Sequence, residues 1–380
     1  MRARLNLLLL ALLLLATGAC GPTQAKQAET SLDIPRIDTG QEPRVIERTL
    51  LSKSYHIDKK YRSMLGPSSM EKLKLLDTDK PELLWIVGYQ AVVMDQEGKG
   101  EVSQEFMCHS NLDFDPHAYW KNFKSNASMS GRLFTLSQGQ QNIVFPRGFG
   151  IPVMSDMEFD LATQVLNLNL DDPNLDVRHK VTIRFVRDAE VPFEMKPLFQ
   201  AAVQGMKSLQ DLPGHYGVSM SEKDEGKHGA GCSVGLPAVA GDADVDQHGQ
   251  KFTGHWVVKP GREENRTNVT RFLQLQFDTK IHYIAVHLHP FAESLELIDR
   301  TTGEQVFKAI AQNHEGKIGL KSIDYYESKE GIPILKDHEY ELVSVYNNTT
   351  NEDQDSMAVM YLYLHDKNFH KPAPVKTASN

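Results

Sequence analysis

The chain has 380 residues, of which 40% are hydrophobic and 24% are charged, and this composition excludes a wholly disordered or fibrous protein. The formal net charge is −9, and removal of residues 1–19, which contain Arg2 and Arg4 but no acid, makes it more negative. An acidic chain without a basic stripe is unsuited to nucleic-acid binding. Three cysteines are too few for a disulfide-built scaffold, so the core must form by apolar burial, over a length typical of two domains.

The N-terminus has the pattern of an export signal. Two arginines precede a leucine-rich stretch that ends at Ala16, and small residues then lead into Cys20. A charged start and a short apolar stretch are typical of a secretory signal, since a membrane-spanning helix needs roughly 18–20 apolar residues. The cysteine after small residues resembles the bacterial lipobox, in which that cysteine is lipidated, although Thr17 stands where leucine is usual.

These features predict a signal peptide over residues 1–19, lipidation at Cys20 and a flexible tether over residues 20–50. The protein is then an exported bacterial lipoprotein, held at a membrane by its lipid anchor alone and facing the periplasm or the cell surface. An ordinary signal peptide that has a cysteine at this position by chance is the alternative.

Many short apolar and β-branched runs, divided by Gly, Pro, Asn and Asp, predict a chain made mainly of strands. The predicted strands are 83–94, 104–111, 142–146, 163–170, 180–186, 253–258, 272–277, 281–289, 295–298, 339–346 and 357–364. Only residues 61–76 and 198–209 have a helical pattern. Regular turn signals between many short strands are typical of β-sandwiches.

The sequence therefore predicts an all-β fold with two tandem antiparallel β-sandwich domains of jelly-roll type. The first domain covers residues 51–190 and the second covers residues 198–370. The connecting residues 188–197 contain two prolines and several charges, which is typical of a linker. Residues 219–250 are rich in Gly, Asp and Lys and predict a long loop.

The predicted strand 281–289 (IHYIAVHLH) carries the strongest candidate site. The strand period of two places His287 and His289 on one face and the alternating apolar residues on the other. Two imidazoles at this spacing on a rigid strand form a ready chelate for copper or zinc, although two solvated histidines give the same pattern. Met357 starts a later predicted strand, and a thioether beside two imidazoles favours copper, especially Cu(I).

Three segments, HLHPFAESLELIDRTTGEQVF, VYNNTT and DQDSMAVMYLYL, resemble in order and spacing the C-terminal domain of the type II copper, ascorbate-dependent monooxygenases. That family includes peptidylglycine α-hydroxylating monooxygenase and dopamine β-monooxygenase. In it, an H-x-H strand and a methionine from a D-x-M strand hold the copper that binds and activates O₂. The resemblance implies that His287, His289 and Met357 are the copper ligands and the catalytic residues. HWVVKPG, residues 255–261, is similar to the strand and Pro-Gly element that starts this domain.

The first half is similar to the family's N-terminal domain in the order of WIVGYQ, VSQEFMCHSNLDF, FPRGFGIPV and LNLNLDDP. In that domain a His-His pair and a later histidine hold a second copper, which delivers electrons. The corresponding positions of this chain are Cys108, His109 and Asn169, so one of the three histidines is kept. Cys108 can ligate Cu(I), whereas the amide of Asn169 is a poor ligand for a soft metal. The resemblance, which spans about residues 80–365, therefore implies a degraded electron-relay site.

Several residues leave alternatives open. The peptide-hydroxylating members have a substrate-anchoring arginine at the position of Ala285, and its loss argues against a peptidylglycine substrate. In an oxidising compartment Cys108 and Cys232 could form a disulfide, remain free or ligate a metal. Three histidines surround Cys232 in the sequence, namely His228, His248 and His255. They could supply a further metal group or be solvated loop side chains.

Two functions of different classes follow from these patterns. The first is a copper-dependent monooxygenase that hydroxylates a C–H bond of an unknown small substrate with O₂, using ascorbate or another external reductant. The second is a non-catalytic copper-binding lipoprotein that keeps the fold and one metal site. The sequence favours the first through the His287, His289 and Met357 set, and favours the second through the altered relay positions.

Overall fold

Strands account for most of the residues that the structure, a computed structural model, describes, namely 40–61, 65–208, 244–245 and 251–372. The strands are β1 (Ile46–Leu51), β2 (Tyr55–Ile57), β3 (Ser68–Leu73), β4 (Leu83–Asp95), β5 (Met107–Phe114), β6 (Arg132–Leu136), β7 (Asn142–Val144), β8 (Phe149–Met154), β9 (Phe159–Val165), β10 (Leu175–Arg187), β11 (Lys196–Gln204), β12 (Lys207–Ser208), β13 (Asp244–Val245), β14 (Lys251–Thr253), β15 (Trp256–Val258), β16 (Gly261–Asn268), β17 (Thr279–Leu288), β18 (Ala292–Asp299), β19 (Glu304–Asn313), β20 (Leu320–Ile323), β21 (Tyr326–Ile334), β22 (Tyr340–Asn348), β23 (Gln354–Ser356) and β24 (Ala358–His365). The helices of the described part are α1 (Pro116–Phe123), α2 (Thr270–Leu273) and two 3-10 turns, Gln104–Phe106 and Asp188–Glu190. None of the described helices is long and apolar enough to cross a membrane.

One sheet of ten strands runs through both halves of the chain. Its main path has the order β1-β10-β4-β8-β11-β24-β17-β21. Near the middle, β11 pairs in parallel with β8 at Lys196 and Pro197 and antiparallel with β24 along most of its length. A four-stranded sheet, β3-β9-β5-β6, and a five-stranded sheet, β16-β22-β18-β19-β20, form the other large layers. The predicted all-β sandwich class is confirmed, whereas the predicted domain bounds stay predictions.

Two hydrophobic cores use opposite faces of the neighbouring strands β17 and β24. Tyr283 and Ala285 belong to a core built mainly from the first half, whereas Ile284 and Val286 belong to a core built mainly from the second half. This separation follows from the strand period of two, which sends successive side chains to opposite faces. From Tyr283 onward the odd-numbered side chains of β17 therefore face the first core, and this places His287 between the two halves of the chain.

Both helix predictions made from the sequence are wrong. Residues 61–76 contain β3 and residues 198–209 contain most of β11. The strand β11 is buried on both faces, so its apolar run lacks the alternation that separates a strand from a buried helix. Residues 272–277, predicted as a strand, begin instead within the short helix α2.

The helix α1 was not predicted, although its signals are present in the sequence. Asp115 caps its N-terminus by accepting a hydrogen bond of 2.9 Å from the backbone N–H of His117. Pro116 occupies the first turn, where its missing N–H costs nothing. Because the helix has only eight residues, the capping signal was the main evidence available for it.

A four-residue turn, residues 137–140, projects from the first half into the second half. The Oε1 atom of Gln140 accepts a hydrogen bond of 3.1 Å from the backbone of Val286, and the carbonyl of Gly139 accepts one of 3.2 Å from Ile323. Gly139 has a φ of +84°, and a Cβ there would lie 2.7 Å from Cγ1 of Ile323, so the close approach requires glycine. This turn fixes the first half against the strand that carries His287.

Candidate metal centre

His287, His289 and Met357 lie on one face of two paired strands. The register of β17 and β24 pairs His287 with Val359 and Leu288 with Ala358. One step further, the backbone N–H of His289 donates to the carbonyl of Met357 over 3.3 Å. Residues that are directly opposite in an antiparallel pair project to the same side, so the side chains of Met357 and His289 share one face of the pair.

Each of the two imidazoles has a polar neighbour at its Nδ1 atom. Nδ1 of His287 is 2.9 Å from the hydroxyl of Ser137, and Nδ1 of His289 is 3.1 Å from a carboxylate oxygen of Asp355. Imidazoles that bind metals are commonly oriented in this way, by a carboxylate or another polar group on the nitrogen that does not face the metal. In both residues Nε2 is therefore the nitrogen that would hold a metal ion.

Burial keeps His287 in the neutral form that a metal requires. Burial lowers the pKa of His287 well below its usual value, and the nearby imidazoles of His289, His109 and His255 lower it further. All four rings are buried, and a proton on one of them would repel a charge on the others. A metal ligand must be unprotonated, so a metal ion at this cluster would not have to displace a proton from His287.

The two histidines line a cavity of about 620 Å³ between the two halves of the chain. Met107 and Cys108 from β5 and Phe291 also line the cavity. A volume of this size is within the range of small-molecule sites, which is roughly 300–1,000 Å³. The cavity brings a candidate metal face and a space for a small ligand together.

The donor set fits a soft metal ion better than a hard one. Within the described residues, no group of three or more His, Cys, Asp or Glu side chains is arranged to hold a metal. The candidate set of two imidazoles and one thioether is of another type, because its third donor is the sulfur of Met357. Such a set suits copper and provides no oxygen donor for calcium or magnesium.

The first-half positions are arranged differently. Nε2 of His109 is 3.0 Å from Oε1 of Gln164, and Nδ1 is 3.1 Å from the amide nitrogen of Asn111. Both ring nitrogens are therefore engaged by side-chain amides inside the protein. Cys108 is buried. Its neighbour His109 thus has a structural partner at each nitrogen.

The side chain of Asn169 contacts the loop between β19 and β20. Its side-chain amide donates to the carbonyl of Ile318 over 2.9 Å and accepts from the backbone N–H of Ile318 over 2.8 Å. It lines a second cavity, which is next to the first and shares Phe291 and Ile318 with it. The structure therefore uses Asn169 to attach the loop between β19 and β20.

Sequence reasoning did not identify Ser137 and Asp355 as partners of the two imidazoles. The D-x-M spacing was a usable signal for Asp355, since residues 355 and 357 share a strand face, but its partner was not evident from the sequence. Ser137 comes from a distant turn and gave no signal. His255 lies with its ring centroid 5.9 Å from that of His289, because β15 pairs with β23 beside the site.

Other predicted positions give limited information. Ala285 is fully buried in the first core, where it leaves no room for an arginine. The remaining positions lie outside the described residues, and they are Cys20, His228, Cys232 and His248.

Comparisons with known proteins show likeness of fold alone. No protein-family model matches the chain, and no curated protein sequence matches it. The STIV MCP, a viral capsid protein, is 10% identical with a TM-score of 0.27, over 86% of this chain and 98% of that chain. A peptide-N(4)-(N-acetyl-β-D-glucosaminyl) asparagine amidase is 9% identical with a TM-score of 0.32, over 86% of this chain and 99% of that chain. Neither is a copper monooxygenase, and similarity at this level assigns no activity.

Proposed function

We propose that this protein binds one copper ion at His287, His289 and Met357 and acts as a copper-dependent monooxygenase. One observation carries the proposal: the side chains of His287, His289 and Met357 project to the same side of β17 and β24, the two imidazoles line the cavity, and each has a polar neighbour at Nδ1. The family resemblance of the second half supports the same three residues. The bound ion would supply one-electron redox chemistry and the activation of O₂.

The residues of the chain have separate roles in this proposal. Ser137 and Asp355 fix the ring planes of His287 and His289, so that the two Nε2 atoms are positioned before the metal arrives. Burial lowers the pKa of His287 and keeps this ring neutral at physiological pH. The cavity holds the substrate beside this face and limits the access of water.

A small organic substrate without a carboxylate suits the cavity best. Ala285 provides no charged group, and Arg132, the buried arginine near the site, is engaged by Asp113 through bonds of 2.7 and 3.0 Å. A carboxylate entering the cavity would therefore find no arginine from these two positions to pair with. Electrons come from an external reductant such as ascorbate.

A non-catalytic copper-binding protein is the second candidate, and a specific observation favours it. Asn169 is attached to Ile318, and both nitrogens of His109 are engaged. The first-half electron-relay site is therefore not assembled from these positions. In either function the lipid anchor at Cys20 and the export signal stay predictions, which release of a Cys20→Ser variant from the membrane fraction would test.

Copper content and O₂ consumption together test these two functions. We expect one copper per chain in the reconstituted protein and ascorbate-dependent O₂ consumption above that of free copper. A copper-loaded protein with no O₂ consumption would favour the binding function. A protein that retains no copper would contradict both.

Replacement of Met357 by leucine tests the sulfur ligand. Leucine keeps the size and apolarity of the side chain, so the fold should survive, while Cu(I) affinity and O₂ consumption should fall because only two imidazoles remain. Met360→Leu is the matched control, since Met360 lies three residues further along and faces the second core. Unchanged Cu(I) affinity in the Met357→Leu protein would remove Met357 from the site.

A further inference from the structure

A row of tyrosines connects the candidate metal face with the protein surface. Tyr361 is paired with Ala285 across β17 and β24, and Tyr363 is paired with Tyr283. All of these residues lie on the same face as His287, since each is an even number of residues from it or from its partner Val359. Tyr361, Tyr363, Tyr283 and Tyr325 are called the tyrosine ladder below.

The steps of the ladder are short. The Cα atoms of diagonal neighbours in an antiparallel pair, such as His287 and Tyr361, are roughly 7–8 Å apart. Tyr361 and Tyr363 are alternate residues of one strand, about 7 Å apart along it. The ring centroids of Tyr363 and Tyr283 are 5.8 Å apart, and those of Tyr283 and Tyr325 are 5.6 Å apart with a tilt of only 17°.

The ladder begins in the core and ends in solvent. Tyr361, Tyr363 and Tyr283 are almost fully buried, whereas Tyr325 is 54% exposed. A large exposed aromatic side chain stacked on a buried one is also a common packing arrangement. The row therefore extends from a buried strand face to the protein surface.

We propose that the tyrosine ladder carries oxidising equivalents from the copper site to Tyr325 when the site reacts without substrate. This inference rests on the copper site proposed above. Phenols are more easily oxidised than the phenyl ring of Phe145, which contacts both Tyr283 and Tyr363, so the tyrosines define the route. The route removes an oxidant that would otherwise attack His287 and His289.

The chemistry balances with peroxide as the oxidant. One hydrogen peroxide, one Cu(I) ion and one tyrosine phenol give Cu(II), one hydroxide, one water and one neutral tyrosyl radical. The phenol loses an electron to the site and a proton to water, and the exposed position of Tyr325 allows that proton to leave. An external reductant such as ascorbate then returns one electron and one proton to Tyr325 and a second electron to Cu(II).

The buried members transfer the electron without lasting loss of a proton. Burial raises the pKa of Tyr283 and of Tyr363, so neither ring is a phenolate before it is oxidised. The Tyr363 hydroxyl donates to the carbonyl of Leu133 over 2.9 Å, and the Tyr283 hydroxyl accepts from Nε2 of Gln140 over 3.3 Å. These partners are poor bases, so the radical is most stable at the solvent end.

The test uses the full chain loaded with copper, with copper content measured first. The protein is reduced to Cu(I), mixed with hydrogen peroxide without substrate and frozen for electron paramagnetic resonance. A parallel sample is digested and analysed by mass spectrometry for oxidised residues. The variants are Tyr325→Phe, Tyr361→Phe and the control Tyr326→Phe, which changes the adjacent tyrosine on the side of the second core.

We expect a tyrosyl radical in the wild type and in Tyr326→Phe, and its loss in Tyr325→Phe and Tyr361→Phe. In the last two, oxidation of His287 and His289 should increase and copper should be released after repeated peroxide additions. The same radical and the same oxidised residues in Tyr325→Phe as in the wild type would overturn the ladder while leaving the copper site intact. Absence of copper after loading would overturn the copper site and the ladder together.

Discussion

The two halves of the chain treat their buried histidines in different ways. In the second half, the Ser137 hydroxyl lies next to Nδ1 of His287, and the Asp355 carboxylate lies next to Nδ1 of His289. The Nε2 atom of each imidazole is the candidate metal donor. In the first half, amide side chains engage both nitrogens of His109. An imidazole that is oriented through Nδ1 can present Nε2 to a metal ion. An imidazole whose two nitrogens both accept or donate hydrogen bonds inside the protein would have to lose one of them to bind a metal. The comparison therefore predicts one copper site per chain, in the second half.

The largest expected effect separates the two histidines directly. His289→Ala should abolish copper binding, because a single strong ligand remains. His109→Ala should leave the copper content unchanged and lower the free energy of unfolding, since Gln164 and Asn111 lose a buried partner at a cost of about 1–3 kcal/mol. Elemental analysis and chemical denaturation of both variants measure the two effects. Loss of copper in the His109→Ala protein would contradict the assignment of His109 to a structural role.

Another buried imidazole, that of His179 in the first half, makes the free energy of unfolding depend on pH. It is fully buried, its two nitrogens have no hydrogen-bond partner within the described residues, and burial lowers its pKa to about 4. Between pH 4 and about 6.5 the unfolded state binds the proton and the folded state does not, so stability rises with pH across this window.

The magnitude of this effect is about 3 kcal/mol over the full window, because one pKa unit corresponds to about 1.4 kcal/mol. His179→Leu should flatten the rise by that amount, measured as the unfolding free energy at several pH values between 4 and 7. The wild type and the variant share every other titrating group, so their difference isolates this imidazole. Identical pH profiles would show that His179 is not neutral and buried in solution.

A smaller effect concerns the orientation of the second-half imidazoles. Asp355→Asn keeps the shape of the side chain and removes its charge, and Ser137→Ala removes the partner of His287. Each should weaken copper binding by about 10- to 100-fold without abolishing it, since changes in such partners have effects of this size. Competition with a chelator of known affinity measures the change. The control is Asp299→Asn, because Asp299 pairs with the remote His338.

The smallest expected effect is at Asn169. Asn169→Ala removes both hydrogen bonds to Ile318 and should cost about 1–2 kcal/mol of stability. Copper content should not change, because this residue is not a ligand in either half. Asn169→His should likewise add no copper, since the side chain at 169 points to the loop at Ile318. A second equivalent of copper in Asn169→His would restore the relay site as a functional candidate.

The sequence predicted the fold class and one face of the site because these depend on local pattern. The alternation around His287 and His289 fixes which side chains share a strand face. The partners of these residues were beyond prediction, since Ser137 comes close only when the two halves pack together and Asp355 only when the chain beside Met357 pairs with the end of β17. Strand β11 was missed because a strand buried on both faces has no alternation to detect.

X-ray absorption at the copper edge tests the central claim most directly. Cu(I)-loaded wild-type protein should contain one copper per chain, bound by two imidazole nitrogens and one sulfur. The sulfur contribution should disappear in Met357→Leu and persist in Cys108→Ser, because Cys108 belongs to the first-half strand β5 and is not one of the three proposed ligands. Two coppers per chain, or a sulfur ligand that is lost in Cys108→Ser and retained in Met357→Leu, would contradict the assignment of a single second-half site.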